Sequence, residues 1–300
     1  MENDVRTNSF RAWMLAARPK TLTAAAVPVM AGSALAVADL GTGFRAWPCV
    51  LCFLFAFIMQ IDANFINDYF DFRKGSDRTD RLGPERACAQ GWITPRAMLR
   101  GIGVTTVLAC LAGLPLLWYA GWELVVVGAV CVVFAFLYTL GLSYRGWGDV
   151  LVLVFFGLVP VGFTYYIQTG VWTWAALVCA LVCGLVIDTL LMVNNYRDRD
   201  QDRISGKRTV VVRWGARAGR AAYLWLGFLP CLGCLSLVAG GYLWAAILPQ
   251  FYLIPHIRSW QLMGSIGQGR ALNRVLGLTA RNIFLFGLLL SAGLLLCGSR

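Results

Sequence analysis

The chain has 300 residues, of which 59% are hydrophobic and only 14% charged, and its formal net charge is +11. Soluble globular domains are about 45–50% apolar and about 25% charged, so this composition excludes an ordinary soluble protein and indicates a polytopic membrane protein. The basic excess collects in alternate loops, as membrane orientation requires, and not on one aromatic-laced surface, which argues against nucleic acid as a partner.

Residues 1–11 are polar, and the apolar run after Lys20 is as long as a membrane helix. The start therefore reads as a retained segment and not as a cleaved signal peptide. With about 20 apolar residues per crossing, the hydrophobic runs predict nine spans. They lie near 21–39, 47–66, 97–119, 122–141, 149–168, 172–195, 218–238, 242–257 and 282–298. A cytoplasmic N-terminus bearing Arg6, Arg11, Arg18 and Lys20 then places the loops 67–96, 142–148, 196–217 and 258–281 on one side, and these hold nearly all the charge. The opposite loops are short and nearly neutral. Trp47, Trp122, Trp172, Trp174, Trp244 and Trp260 fall near span ends, where amphipathic rings favour the interface. The fold class is all-α, and the whole chain, 1–300, reads as a single domain within the bilayer.

The second span runs into NFINDYFDFRKGSDRTD, Asn64–Asp80. On a helix, Asn64, Asn67, Asp68 and Asp71 fall at i, i+3, i+4 and i+7, so one face carries two amides and two carboxylates. Like charges a turn apart repel unless a cation sits on them, and hard oxygen ligands suit Mg²⁺. Gly75 permits a sharp turn, while Arg73, Lys74 and Arg78 add positive charge. Taken alone, such a stretch also fits a solvated helix end.

A second copy weighs against that reading. After the sixth span the chain reads NNYRDRDQDRISGKRT, residues 194–209, with Asn194, Asp198 and Asp202 at i, i+4 and i+8 and Asn195 beside them. NDYFD at Asn67 aligns with NNYRD at Asn194, which suggests two pseudo-repeated halves that bring two metal sites face to face. Only three lysines occur, Lys20, Lys74 and Lys207, all in the charged loops or at their helix mouths. They read as point charges for phosphate oxygens.

Two further acids, Asp62 and Asp188, sit inside spans, where a charge is expensive. Asp62 lies off the motif face and reads as a paired structural acid; Asp188 is open. The ten cysteines lie almost all in apolar runs and read as packing residues, and His256, the only histidine, as a structural hydrogen-bonder. Metal plus basic groups hold a diphosphate, and an apolar helical chamber suits a long hydrocarbon tail, which together describe a prenyl diphosphate. Tyr69, Tyr138, Tyr165, Tyr166 and Tyr196 are candidates to face the allylic cation that departure of the diphosphate leaves behind.

Five stretches carry a family resemblance: RPKTL near the start, NDYFDFRKGSDRTDRLGPERACAQGWITPRAM, TYYIQTG at 164–170, NNYRDRDQDRISGKRT and LNRVLGLTAR. They resemble the 1,4-dihydroxy-2-naphthoate polyprenyltransferases of menaquinone biosynthesis, within the intramembrane aromatic prenyltransferase superfamily. The resemblance implies a nine-helix bundle around a central cavity. It also implies Mg²⁺-dependent transfer of a polyprenyl chain from polyprenyl diphosphate to 1,4-dihydroxy-2-naphthoate, with loss of CO₂, giving demethylmenaquinone. The setting it implies is the lipid bilayer of a bacterial inner membrane, with the N-terminus and the site facing the cytoplasm and no obligate protein partner.

Carried onto this sequence, the first family motif falls on Asn64, Asn67, Asp68, Asp71 and Asp77, and the second on Asn194, Asn195, Asp198 and Asp202, as Mg²⁺ and diphosphate ligands. Lys74, Arg78, Lys207 and Arg208 fall where basic contacts belong, joined by Lys20 and Arg145. Tyr138, with Tyr69 and Tyr196, would face the cation. Where the superfamily reads NDxxDxxxD, Gly75 takes the last position here and the next aspartate is Asp77. On this reading Asp68→Ala or Asp198→Ala abolishes transfer without unfolding the bundle. The rival readings are a sister enzyme acting on 4-hydroxybenzoate and, from another class, a secondary transporter. Eight of the fifteen acids lie in the two caps and not at mid-span, which favours chemistry on a membrane-borne diphosphate.

Overall fold

The computed structural model describes residues 5–75 and 81–298, and among these the chain is helical with no strand. Helix α1 (Phe10–Ala17) is capped by Ser9, whose hydroxyl accepts from the amide of Ala12. It breaks at Arg18, a left-handed residue (φ 50°) followed by Pro19, before α2 (Leu22–Leu40). Then come α3 (Ala46–Arg73) and α4 (Pro95–Gly113), the latter continued through a short 3₁₀ turn into α5 (Leu117–Ala120). Helix α6 (Glu123–Leu137) ends in a π turn, Tyr138–Leu142. Helices α7 (Gly148–Leu153) and α8 (Val159–Thr169) form one rod joined by a second π turn.

The second half begins with α9 (Trp174–Ile204), followed by α10 (Val210–Leu235), which kinks at Gly215. Helices α11 (Leu243–Ile247) and α12 (Leu253–Ile266) precede α13 (Leu272–Cys297). Eight helical segments among the described residues are long and apolar enough to cross a membrane. The ninth expected span, 242–257, is present as a broken rod: α11, a 3₁₀ stretch Leu248–Tyr252 that opens on Pro249, and α12. Proline removes a backbone donor and cannot continue the α ladder, so the rod changes pitch there.

Helix α9 is the axis of the bundle. In its most apolar window 72% of residues are buried, against 11% for α6, most of whose residues line the central cavity. It packs on α2, α7, α8, α10 and α13. Small residues let backbones meet: a side chain begun at Gly157 would lie 2.5 Å from the carbonyl of Ala180, and one at Gly184 3.0 Å from the Cα of Leu153. Close approach of this kind replaces the hydrophobic drive that lipid cannot supply. The cysteines are all free. His256 is buried, stacks on Tyr223 and Tyr252 and accepts or donates at both ring nitrogens within the core.

Candidate active site

Helices α3 and α9 are 28 and 31 residues long, well beyond the ~20 that a bilayer requires. Their C-terminal turns carry the two acidic motifs and line one chamber of about 1260 Å³. From α3 it receives Asn64, Asn67 and Asp71; from α9 it receives Asn194, Asn195, Asp198 and Asp202, with Gln201, which sequence reasoning missed. The rest of its wall is mostly apolar, including Phe55, Leu117, Leu124, Val132, Phe155 and Phe163.

Lys207 ties the two motifs together electrically. Its ammonium lies 3.4 Å from Asp202 on α9. Burial opposes its charge, but Asp202, Asp71 on α3 and Tyr144 outweigh burial and raise its pKa above the ordinary lysine value. One cation therefore senses both carboxylate clusters. Lys74 shares its tyrosine: the two ammonium groups lie 4.6 Å and 5.2 Å from the ring of Tyr144. Lys74 also donates to the carbonyls of Thr139 and Leu140, at 2.7 and 2.9 Å. The wide π turn leaves those carbonyls free of a helical partner. The Thr139 hydroxyl in turn donates to the side-chain oxygen of Asn67.

Asp68 does not face the chamber, against the expectation that it is a metal ligand. Its two oxygens accept the backbone amides of Ala87 and Cys88 at 2.9 Å each, and Arg18 stands 3.7 Å away. It sits at the edge of the motif stripe, 100° of helical rotation from Asn67, so the loop after α3 reaches it first. That loop returns Arg86, 3.4 Å from Asp71, and Arg81 and Pro84 to the chamber wall.

Arg197 organises the other side. Buried to 3% exposure, it donates to both oxygens of Asp198 at 2.7 Å and to the side-chain oxygen of Asn273 at 2.8 Å. Asn273, in the LNR of α13, donates to the carbonyl of Leu82 at 2.9 Å. A side chain begun at Gly83 would lie 2.7 Å from the Arg197 guanidinium. The glycine of the GP pair is thus the position that lets the loop close over Arg197.

Several expected contacts are absent from the chamber. Lys20 is exposed, because the left-handed turn at Arg18 directs Arg18 inward and Lys20 out. Arg145 and Arg208 are exposed and border a separate small pocket with Gly206; Tyr144 lies between it and the chamber. Tyr69 and Tyr196 pack into core clusters, and Tyr165 donates to Asp39 at 2.6 Å, away from the motifs. Tyr138 does line the chamber, as expected. Asp77 and Arg78 lie outside the described residues. Asp62 accepts from Thr105 and Thr106 at 2.5 and 2.9 Å, as a paired structural acid does.

No group of three or more acidic, histidine or cysteine side chains takes up a metal-holding arrangement among the described residues. Asp71, Asp198 and Asp202 are instead held by Arg86, Arg197 and Lys207. The donor set itself, carboxylates and amides with no thiolate or imidazole, fits a hard divalent cation.

The chain matches the family model described as the UbiA prenyltransferase family over residues 25–273. It is 38% identical over 245 residues to the 1,4-dihydroxy-2-naphthoate octaprenyltransferase of Escherichia coli, covering 78% of this chain and 79% of that protein. To the enzyme of the same name from Mycobacterium tuberculosis it is 37% identical over 233 residues, covering 77% and 78%. Among solved structures, a UbiA homolog from Archaeoglobus fulgidus bound to GPP and Mg²⁺ matches with a TM-score of 0.65 at 12% identity. That match covers 93% of this chain and 99% of the other and bears on the fold alone.

Proposed function

The chain belongs to the UbiA prenyltransferase family, and from that premise we propose that it transfers a polyprenyl chain from polyprenyl diphosphate to 1,4-dihydroxy-2-naphthoate. The acceptor loses its carboxylate as CO₂, and the immediate product is the hydroquinone form of demethylmenaquinone. The observation that carries this reading is the meeting of both acidic motifs in one chamber that is polar and basic at one end and apolar along the rest.

Asp71, Asp198 and Asp202, with Asn67 and Asn194, are the residues that would hold Mg²⁺. When bound, the metal neutralises the charge that develops on the departing diphosphate. Lys207, Lys74, Arg18 and Arg86 supply fixed positive charge around the same oxygens. The phenyl rings of the wall and Tyr138 keep water from the allylic cation and offer it π faces. The chain is an integral membrane protein, and the concentration of Arg and Lys in the motif-side loops supports a cytoplasmic site in a bacterial inner membrane.

The test uses purified protein in nanodiscs with a polyprenyl diphosphate, Mg²⁺ and either the naphthoate or 4-hydroxybenzoate. Release of diphosphate and CO₂ with the naphthoate alone, arrested by EDTA and restored by Mg²⁺, is the expected result. Transfer to 4-hydroxybenzoate instead would reassign the acceptor, and no turnover with either would return the transporter reading to the front.

A further inference from the structure

Two carboxylates below the diphosphate site have no role in holding it. Asp188 on α9 is 4% exposed, and Asp149, in the first turn of α7, lines the chamber. Helices α7 and α9 run antiparallel in contact: Leu153 lies against Gly184, and Gly148 lies against Leu191. The same register sets Asp149 opposite Asp188, and the charge of Asp149 reaches Asp188 directly. Among the described residues, theirs are the only carboxylate oxygens that are buried with no hydrogen-bond partner, one on each residue. Neither has an ion-pair partner there.

Two carboxylates facing each other away from water cannot both ionise, so such a pair holds one shared proton and one negative charge. A carboxylate pair of that kind can take up a proton and give it back. It also sits at the right depth. Asp188 precedes Asn194 by six residues, about 9 Å of helix rise, so the pair lies past the diphosphate level, toward the apolar part of the chamber. The hydroxyl of Tyr138 comes within 4.0 Å of where a side chain on Gly148 would begin. The titratable groups that face the pair are Tyr138 and, around that tyrosine, Asp71 and Asp202.

We propose that Asp149, with Asp188 as its positioning partner, is the proton acceptor and donor for the aromatic acceptor during transfer. The inference rests on the proposed prenyl transfer to a hydroxynaphthoate. As the new C–C bond forms at the carbon bearing the carboxylate, the allylic C–O bond breaks and its electron pair leaves with the diphosphate. The neighbouring ring hydroxyl gives its proton to Asp149 and becomes a ketone. That ketone lies β to the carboxylate, so loss of CO₂ returns an electron pair to the ring oxygen as an enolate. The enolate takes the same proton back from Asp149, the ring regains aromaticity, and no other reactant is consumed.

The test compares wild type, Asp149→Asn and Asp188→Asn in nanodiscs, with binding of labelled polyprenyl diphosphate as the check on folding. For Asp149→Asn the expected kcat loss near neutral pH is about 10²–10⁴-fold, with the KM for polyprenyl diphosphate unchanged. The deficit narrows as pH rises, because the acceptor hydroxyl then ionises without help. Asp188→Asn removes the partner that shares the proton and so stabilises ionised Asp149, and the acidic limb of its kcat profile moves to higher pH. A kcat for Asp149→Asn near that of wild type, a deficit constant across pH, or an unmoved acidic limb in Asp188→Asn would overturn the proposal. Failure of the wild type itself to prenylate the naphthoate would overturn the proposed function instead, so the two failures are distinct.

Discussion

Arg197 grips the carboxylate of its own neighbour, Asp198, through two bonds of 2.7 Å. Consecutive residues on a helix point about 100° apart, so the long arginine must fold back, and its third contact, to Asn273, holds it there. The orientation of Asp198 toward the chamber is therefore set from α13, through Asn273 and Arg197. Asp198→Ala removes the proposed metal ligand, and at least about 10²-fold loss of kcat is expected, by analogy with deletion of one transition-state donor. Arg197→Lys keeps the charge but loses the planar fork. Its expected effect is a Mg²⁺ requirement raised about 10–100-fold, the usual range for a group that orients a ligand, read from turnover against Mg²⁺ concentration.

Gly83→Ala places a methyl 2.7 Å from the Arg197 guanidinium. A free arginine end would move aside, but this one is pinned by Asp198 and Asn273. The expected outcome is a severalfold fall in transfer, with thermal stability changed by no more than about 0.5 kcal/mol, as at sites outside the core. A variant that lost stability and kept its turnover would show that the loop, and not the guanidinium, absorbs the methyl group.

Asp68→Ala is expected to act through the loop and not through metal. It strips the acceptor from two buried backbone amides, those of Ala87 and Cys88. An unsatisfied buried donor costs about 1–3 kcal/mol. Hydrogen exchange should rise across residues 84–93, and the KM for polyprenyl diphosphate should rise more than kcat falls. If kcat collapsed with exchange unchanged, Asp68 would be a ligand after all.

Gly184→Ala tests the crossing that sets the α7–α9 register. The added methyl would meet the Leu153 side chain at 2.8 Å and its Cα at 3.0 Å, and backbone cannot step aside. A loss of about 1–3 kcal/mol is expected from overpacking, measured by thermal unfolding in detergent. Gly103→Ala on α4, where nothing lies within 4 Å, is the control. It should leave stability unchanged or raise it by up to about 1 kcal/mol, since alanine favours the helix.

Two kinds of information met in this chain. The lengths of its apolar runs and the repeat of NDYFD as NNYRD were enough to place the spans and to put both acidic motifs at helix ends. Those features depend only on neighbours along the chain and on the 1.5 Å rise per residue. What lay beyond sequence was which atoms at those ends turn inward. Asp68 and Asp71 are equally acidic on paper, yet a returning loop takes Asp68 for its amides while Asp71 lines the chamber. Arg18 and Lys20 are two residues apart, and one left-handed backbone angle sends the first in and the second out. Asp149, 39 residues from Asp188, has no motif around it; only the antiparallel contact of α7 and α9 makes the pair. Helix identity is local, whereas the facing of a side chain at a helix edge depends on which distant segment packs there, and that is decided by the fold as a whole.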